Sequence, residues 1–225
     1  MAAEPYFTPR LFEFLRELKR NNTRDWFQAN KTRYVAEVQQ PMLRFIADFA
    51  APLRRISKSF DADPRPAGGS MFRIHRDTRF AKDKSPYKTH VAAHFRHRST
   101  ARDVHGPGFY FHLEPGECFI GAGIWRPEPP MLKQLRDAIA WDSDGWRKVR
   151  RRVPEIEGEQ LTRPPAGYDA GHPFIDDLRR KSYFGSASFT EAEACAPGFI
   201  VECAAACRSL TPLMAFLTEA VGLDW

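Results

Sequence analysis

Between Met71 and Arg98 stand eight lysines and arginines, Arg73, Arg76, Arg79, Lys82, Lys84, Lys88, Arg96 and Arg98, against two acids, Asp77 and Asp83. The segment therefore carries the whole net charge of +6, because the remaining chain holds 26 basic and 26 acidic residues. Charge placed only for solubility would be spread over the surface; charge gathered in one segment favours a local anion site. Arginine grips phosphate or carboxylate with two parallel N–H donors, and lysine supplies a point charge. Arg73, Arg76, Arg79, Lys84 and Lys88 are accordingly the candidate ligand-binding residues. Asp77 and Asp83 either hold the neighbouring cations in place or coordinate a cation, and Asp77 is also a candidate general base. An enzyme built here would use Asp77 or Asp83 as base, Tyr87 as acid and the arginines to stabilise developing charge. Nothing in the sequence assigns the bond made or broken, and a salt-bridged surface hairpin would have the same composition.

Other chemistries find less support. His90 and His94 are four apart in a strand-like segment, which separates them by roughly 13 Å, too far to share a metal. His94, His112 and Glu114 converge only if their strands are neighbours, and no HExxH or paired-Cys motif is present, so no metal site is expected. GxSxG, GxxxxGK[ST] and GxGxxG are all absent. The four cysteines, Cys118, Cys195, Cys203 and Cys207, form no CxxC pair; Cys203 and Cys207 read as small buried hydrophobes on one helix face. Phe72, Phe80, Tyr87 and Phe95 interleave with the basic residues, as base-stacking rings do, but no standard nucleic-acid reader motif accompanies them. The basic run Arg147–Arg152 reads as a solvated helix face. Asn22, Arg24, Trp26 and Asn30 offer a second polar-aromatic cluster, for which helix capping and core packing are the simpler reading.

Several elements must position these residues. Phe12, Leu15 and Leu18 fall at helical spacing, and Asn22 or Thr23 caps a second helix with Asp25 in its first turn. Trp26, Asn30, Tyr34 and Val38 share one face, and Pro41 is expected to end or kink that helix. Met42, Phe45, Ile46, Phe49 and Leu53 form the next apolar stripe. After the loop Pro64–Ser70 the period changes to two: Phe72–Ile74, Val91–Phe95 and Phe109–Leu113 read as half-buried strands. The turn Glu114-Pro115-Gly116-Glu117 predicts a hairpin of residues 109–114 with 118–125. Gly121 and Gly123 on its second arm mark a close approach by another group. Helical spacing returns over Pro129–Trp141. A short helix through Leu178 precedes a strand over Tyr183–Phe189, and one long helix is expected from Pro197 to Val221.

The residues also resemble a known family, that of domain of unknown function 2461. The likeness covers nearly the whole chain and rests on four stretches: Asn21–Tyr34, Phe72–His90, Phe109–Pro129 and Arg163–Phe184. The second is the most specific, with Arg76, Asp77, Arg79, Phe80, Lys82, Asp83, Lys84, Pro86, Tyr87, Lys88 and Thr89 matching the family signature. His75 stands where the family often has an aromatic residue. The resemblance implies a shared fold and carries over no catalytic residue.

Together these readings give one α+β domain over residues 1–225, with a mainly antiparallel sheet of hairpin strands packed with N- and C-terminal helices. The composition, 43% hydrophobic with 18 Phe, suits a substantial core. No apolar run reaches 18 residues, and the opening MAAEPYFTPR has no apolar core of a secretory leader, so neither a membrane partner nor export is expected. Unpaired cysteines fit a reducing cytoplasm. The expected partner is an anionic small molecule, phosphorylated ligands included. Nucleic acid or an acidic protein is the alternative, and no cofactor is implied.

Overall fold

The computed structural model describes residues 4–100 and 105–225. The first three residues of the amino-terminal stretch read above for a leader lie outside them. The elements run α1 (Pro9–Arg20), α2 (Arg24–Ala29), α3 (Lys31–Tyr34), α4 (Gln40–Ile56), β1 (Val91–Arg96), β2 (Gly108–Glu114), β3 (Glu117–Ile124), α5 (Pro129–Trp141), α6 (Ser143–Arg152), α7 (Ile175–Leu178), β4 (Tyr183–Phe189), α8 (Glu191–Ala194), α9 (Phe199–Ser209) and α10 (Thr211–Ala220). The four strands form one antiparallel sheet in the order β1-β2-β3-β4. This is the expected α+β architecture.

The period-2 pattern decides the two faces. Val91, Ala93 and Phe95, with Phe109, Phe111 and Leu113, turn inward with Cys118, Ile120, Ala122 and Ile124. They meet the apolar stripes of the helices: Phe45 stacks on Phe111 at 4.8 Å, and Phe49 lies 5.0 Å from Phe95. The buried cluster continues through Phe7 and Phe14 at one end of the chain to Leu213 and Leu217 at the other. Burying side chains of this size contributes about 1.5–3 kcal/mol each. The opposite sheet face is left to other uses.

Each outer strand is met by another segment over part of its length. Along β1, Phe72 N donates to Ala92 O at 2.9 Å and His94 N to Ser70 O at 2.8 Å. Along β4, Glu157 N donates to Phe184 O at 2.6 Å.

Three local expectations are corrected. Phe72–Ile74 is not a strand: Met71 makes one bridge to Ala93, and the chain then turns away to pair His75 with Tyr87. Arg76 N still donates to Pro86 O at 2.9 Å, and Lys88 N to Ile74 O at 2.8 Å, but Pro86 has no N–H to extend the ladder. Of the two outcomes expected at Pro41, an end or a kink, the helix does not end there. A π turn over Val35–Gln39 loosens the backbone just before it, and α4 continues to Ile56. The long closing helix is two, α9 and α10, bent by 53°, with Pro212 in the first turn of α10.

Thr23 caps α2 as expected, its hydroxyl accepting from Trp26 N at 3.3 Å. The turn at Pro115-Gly116 joins β2 to β3, and Gly116 takes φ +83°, where other residues are strained. Among the described residues no single helix is long and apolar enough to cross a membrane. Taken together α9 and α10 have the length and composition, but they are bent apart, and Phe199, Cys203, Leu213 and Leu217 are buried in the core.

Candidate functional site

The open sheet face carries the complementary alternation. His94 pairs opposite Tyr110, Ala92 opposite His112, and His112 opposite Phe119. Gly108 and Gly121 leave room for rings to lie flat on the backbone. A Cβ at Gly108 would fall 2.1 Å from His94 Nε2, and one at Gly121 would fall 2.1 Å from Phe184 Cζ. Of the two glycines singled out in the second hairpin arm, Gly121 admits the Phe184 ring and Gly123 admits the β4 backbone, where a Cβ would fall 2.0 Å from Tyr183 O. The result is a groove of about 540 Å³ lined by His94, Tyr110, His112, Phe119, Trp125 and Phe184, with Phe72 as one wall. Phe72 lies parallel to the His94 ring at 6.2 Å, and His112 stacks on Phe119 at 5.0 Å. A largely aromatic lining with a few polar atoms is the usual makeup of a small-molecule site.

The basic segment borders this groove. Lys88 Nζ sits 4.9 Å from the centre of the Phe72 ring, with the Arg96 guanidinium 5.9 Å from the same ring. Burial, and then the nearby positive charge of Arg73, push the Lys88 ammonium pKa down. Among the described residues neither Lys88 nor Arg73 forms an ion pair with a carboxylate. Beside them a depression of about 420 Å³ is lined by Asn22, Arg76, Asp83, Ser85, Lys88 and His90.

The other predicted cations are engaged. Arg79 holds Asp77 through two nitrogens, Nη2 to Oδ2 at 2.7 Å and Nε to Oδ1 at 3.0 Å. Arg76 pairs with Asp83, and Asp83 Oδ1 also accepts from Ser85 N at 2.9 Å and Ser85 Oγ at 2.5 Å. Lys84 Nζ donates to Thr78 O at 2.9 Å. Arg79 holds the Asp77 carboxyl down to about 2, and Ser85 together with Arg76 holds Asp83 well below the carboxylate range. In this geometry each carboxylate is engaged by a neighbouring arginine and holds its guanidinium in place. Tyr87 is buried, with its ring stacked on Phe27 at 4.1 Å. His75 completes that cluster as an aromatic substitute, 5.2 Å from Tyr87 and 6.3 Å from Phe27.

Asn22 clamps the Tyr87 backbone instead of lining a polar-aromatic pocket, and Asn30 Nδ2 donates to Trp26 O at 2.9 Å. On α6, Trp146 and Val149 face the core, and Arg150 turns to Asp177 and the Pro154 carbonyl. Cys203 and Cys207 are buried free thiols whose pKa values burial raises.

Register brings together a group that sequence spacing understated. His90, just before β1, comes beside Glu114 at the end of β2, with His112 two residues back on the same face. One donor atom from each of the three lies within 4.8 Å of the others. Glu114 Oε2 is 3.6 Å from His112 Nε2 and 3.9 Å from His90 Nδ1. Its Oε1 accepts from Thr89 Oγ1 at 2.9 Å and lies 3.8 Å from Lys19 Nζ. Burial, reinforced by His112, pushes the His90 pKa down to about 4, and burial also lowers that of His112. The pattern His112-x-Glu114 on one strand face was the available signal. His90, not His94, is the third member.

An α+β protein with an aromatic groove on the free face of a four-stranded meander, and a basic hairpin at its edge, is the class these features define. The profile of a family described as conserved hypothetical protein (DUF2461) matches residues 10–216, and the chain belongs to that family. No curated protein and no solved structure shows a significant match.

Proposed function

We propose that the protein binds an anionic small molecule, phosphorylated compounds foremost, at the junction of the aromatic groove and the basic hairpin. The observation that carries this reading is Lys88: a half-buried ammonium against the Phe72 ring, beside Arg73, with no carboxylate partner among the described residues. Holding a half-buried ammonium beside the positive charge of the exposed Arg73 is costly, and a bound anion offsets that cost. The anionic group sits at Lys88 and Arg73, with Arg76, Arg79 and Lys84 as an outer ring whose charges are partly met by Asp77, Asp83 and the Thr78 carbonyl. The apolar part of the ligand lies over Tyr110 and Phe119 in the groove. Four free cysteines suit a reducing cytoplasmic setting.

The experiment is a thermal-shift panel of phosphates, nucleotides, sugar phosphates and carboxylates at two salt concentrations, repeated with Lys88→Gln. A selective, salt-resistant rise that Lys88→Gln abolishes supports the reading. A panel with no response, or one that Lys88→Gln leaves unchanged, refutes it.

Phe80 favours a second reading. It is 95% exposed in the basic loop, with the Arg79 guanidinium 5.9 Å from its ring. An exposed ring among cations suits stacking on a nucleic-acid base. That reading predicts binding to mixed-sequence single strands, falling steeply with salt and weakened by Phe80→Ala. An acidic protein docking on the same loop would show the salt dependence without the response to oligonucleotides.

A further inference from the structure

The groove ends at a polar atom without a hydrogen-bond partner. His112 is only 7% exposed, and its Nε2 is buried and unpartnered. Leaving such an atom unsatisfied costs about 1–3 kcal/mol. The atom points toward Glu114 Oε2, but 3.6 Å is beyond hydrogen-bond reach. His90 Nδ1 faces the same oxygen at 3.9 Å. Three donors of metal-binding type therefore surround one point without bonding to one another.

We infer that His90, His112 and Glu114 form a binding site for a divalent transition metal of the zinc type. Neutral imidazoles and a carboxylate are the ligands such ions prefer. Bonds of about 2.0–2.2 Å around a tetrahedral ion place donors roughly 3.3–3.5 Å apart. Donors already within 4.8 Å reach that spacing by small side-chain rotations.

The surroundings hold the three side chains as outer partners hold metal ligands. The other His112 nitrogen, Nδ1, is 3.1 Å from the Tyr110 hydroxyl, which leaves Nε2 for the ion when Nδ1 carries the hydrogen. Phe119 stacks on the His112 ring and fixes its plane. Thr89 and Lys19 occupy Glu114 Oε1, which leaves Oε2 facing the histidines. Three protein ligands leave a fourth position open, the arrangement of catalytic zinc sites as opposed to closed structural ones. Lys88 and Arg76 add positive charge around the trio, so the open position favours an anionic ligand or an ionised water. The inference does not require the anion site proposed above; the metal binds whether or not a small molecule does.

The test is direct. Full-length protein is stripped with chelator and titrated with Zn²⁺ against a chromophoric competitor, and Co²⁺ is substituted to read its visible spectrum. The expected result is one Zn²⁺ per chain and a tetrahedral Co²⁺ spectrum. His90→Ala and Glu114→Gln, at half-buried positions, should each weaken binding by at least the about 10–100-fold that loss of an outer partner causes. His172→Ala, whose ring lies near Ser143 outside the site, should leave binding unchanged. In the wild type, Zn²⁺ should shift the ring NMR signals of His90 and His112, a readout that needs no variant to fold. Absence of stoichiometric binding, or binding that leaves those two rings unperturbed, overturns the inference. So does binding that persists in folded His90→Ala and Glu114→Gln.

Discussion

Asn22 holds the backbone of Tyr87 with both ends of its amide: Nδ2 donates to Tyr87 O at 2.9 Å, and Oδ1 accepts from Tyr87 N at 3.1 Å. One side chain thus supplies the donor and acceptor that a neighbouring strand would. It ties the α1–α2 junction to the basic hairpin immediately before Lys88. The Phe27 and Tyr87 rings stack beneath the clamp and seal it to the core.

Asn22→Ala should therefore destabilise the protein by about 1–3 kcal/mol, the net worth of two part-buried hydrogen bonds. Urea denaturation measures this. Because the clamp sets the hairpin, the variant should also lose anion binding while folded; a variant that is destabilised but binds normally would show that the hairpin positions itself.

Asp77 provides a pH prediction. Its folded pKa of about 2 lies below the ordinary 3.8, and the Arg79 side chain is the first cause. The pairing therefore contributes fully above pH 3.8 and is lost as pH falls through 2. Carboxyl-carbon NMR should find the Asp77 midpoint near 2 in the wild type and raised toward 3.8, but still below it, in Arg79→Gln, because the backbone N–H of residue 79 and the charge of Arg73 remain. A wild-type midpoint near neutral pH would instead restore Asp77 as a general base.

The groove wall depends on a missing side chain. Gly121→Ala drives a methyl into Phe184, and overpacking of this kind typically costs about 1–3 kcal/mol. Phe184→Ala in the same chain should relieve that clash and recover part of the stability. No recovery in the double variant, measured by thermal melting, would mean that Phe184 does not lie on Gly121.

Asp177 should matter for stability alone. It is buried, accepts from Trp146 Nε1 at 2.8 Å, and is paired with Arg180 at 3.1 Å and Arg150 at 3.4 Å. Asp177→Ala strands Trp146 Nε1 and the Arg180 guanidinium, while Arg150 keeps the Pro154 carbonyl, and should cost about 3–5 kcal/mol. A loss near zero in a denaturation curve would contradict this account of the α6–α7 packing.

Much of the fold was legible because it is written in short-range signals. Pro129 opens α5 and a run of 3.6-spaced apolar residues carries it to Trp141, as expected. Pro115-Gly116 marks the β2–β3 turn. What the period could not show was how the backbone passes a proline: Pro41 follows a π turn, whereas Pro212 opens a new helix. Phe72–Ile74 alternates like a strand, but its partners on both sides are used for single bridges only. The charged segment was visible as composition. Which cations remain without carboxylates was not, because Asp77 and Asp83 each choose one of several neighbouring arginines. The trio of His90, His112 and Glu114 depends on the β1–β2 register, which sets Val91 opposite Leu113, and local spacing does not encode that register.

The measurement that bears most directly on the central claim is the affinity of inorganic phosphate and simple phosphate esters, read by calorimetry, for the wild type and for Lys88→Gln. A charged hydrogen bond to a ligand is worth about 1.5–3 kcal/mol. Binding should therefore weaken roughly 10- to 150-fold in folded Lys88→Gln and stay nearly unchanged in Lys82→Gln, an exposed lysine of the same loop. Equal losses in the two variants, or none in either, would contradict an anion site at Lys88.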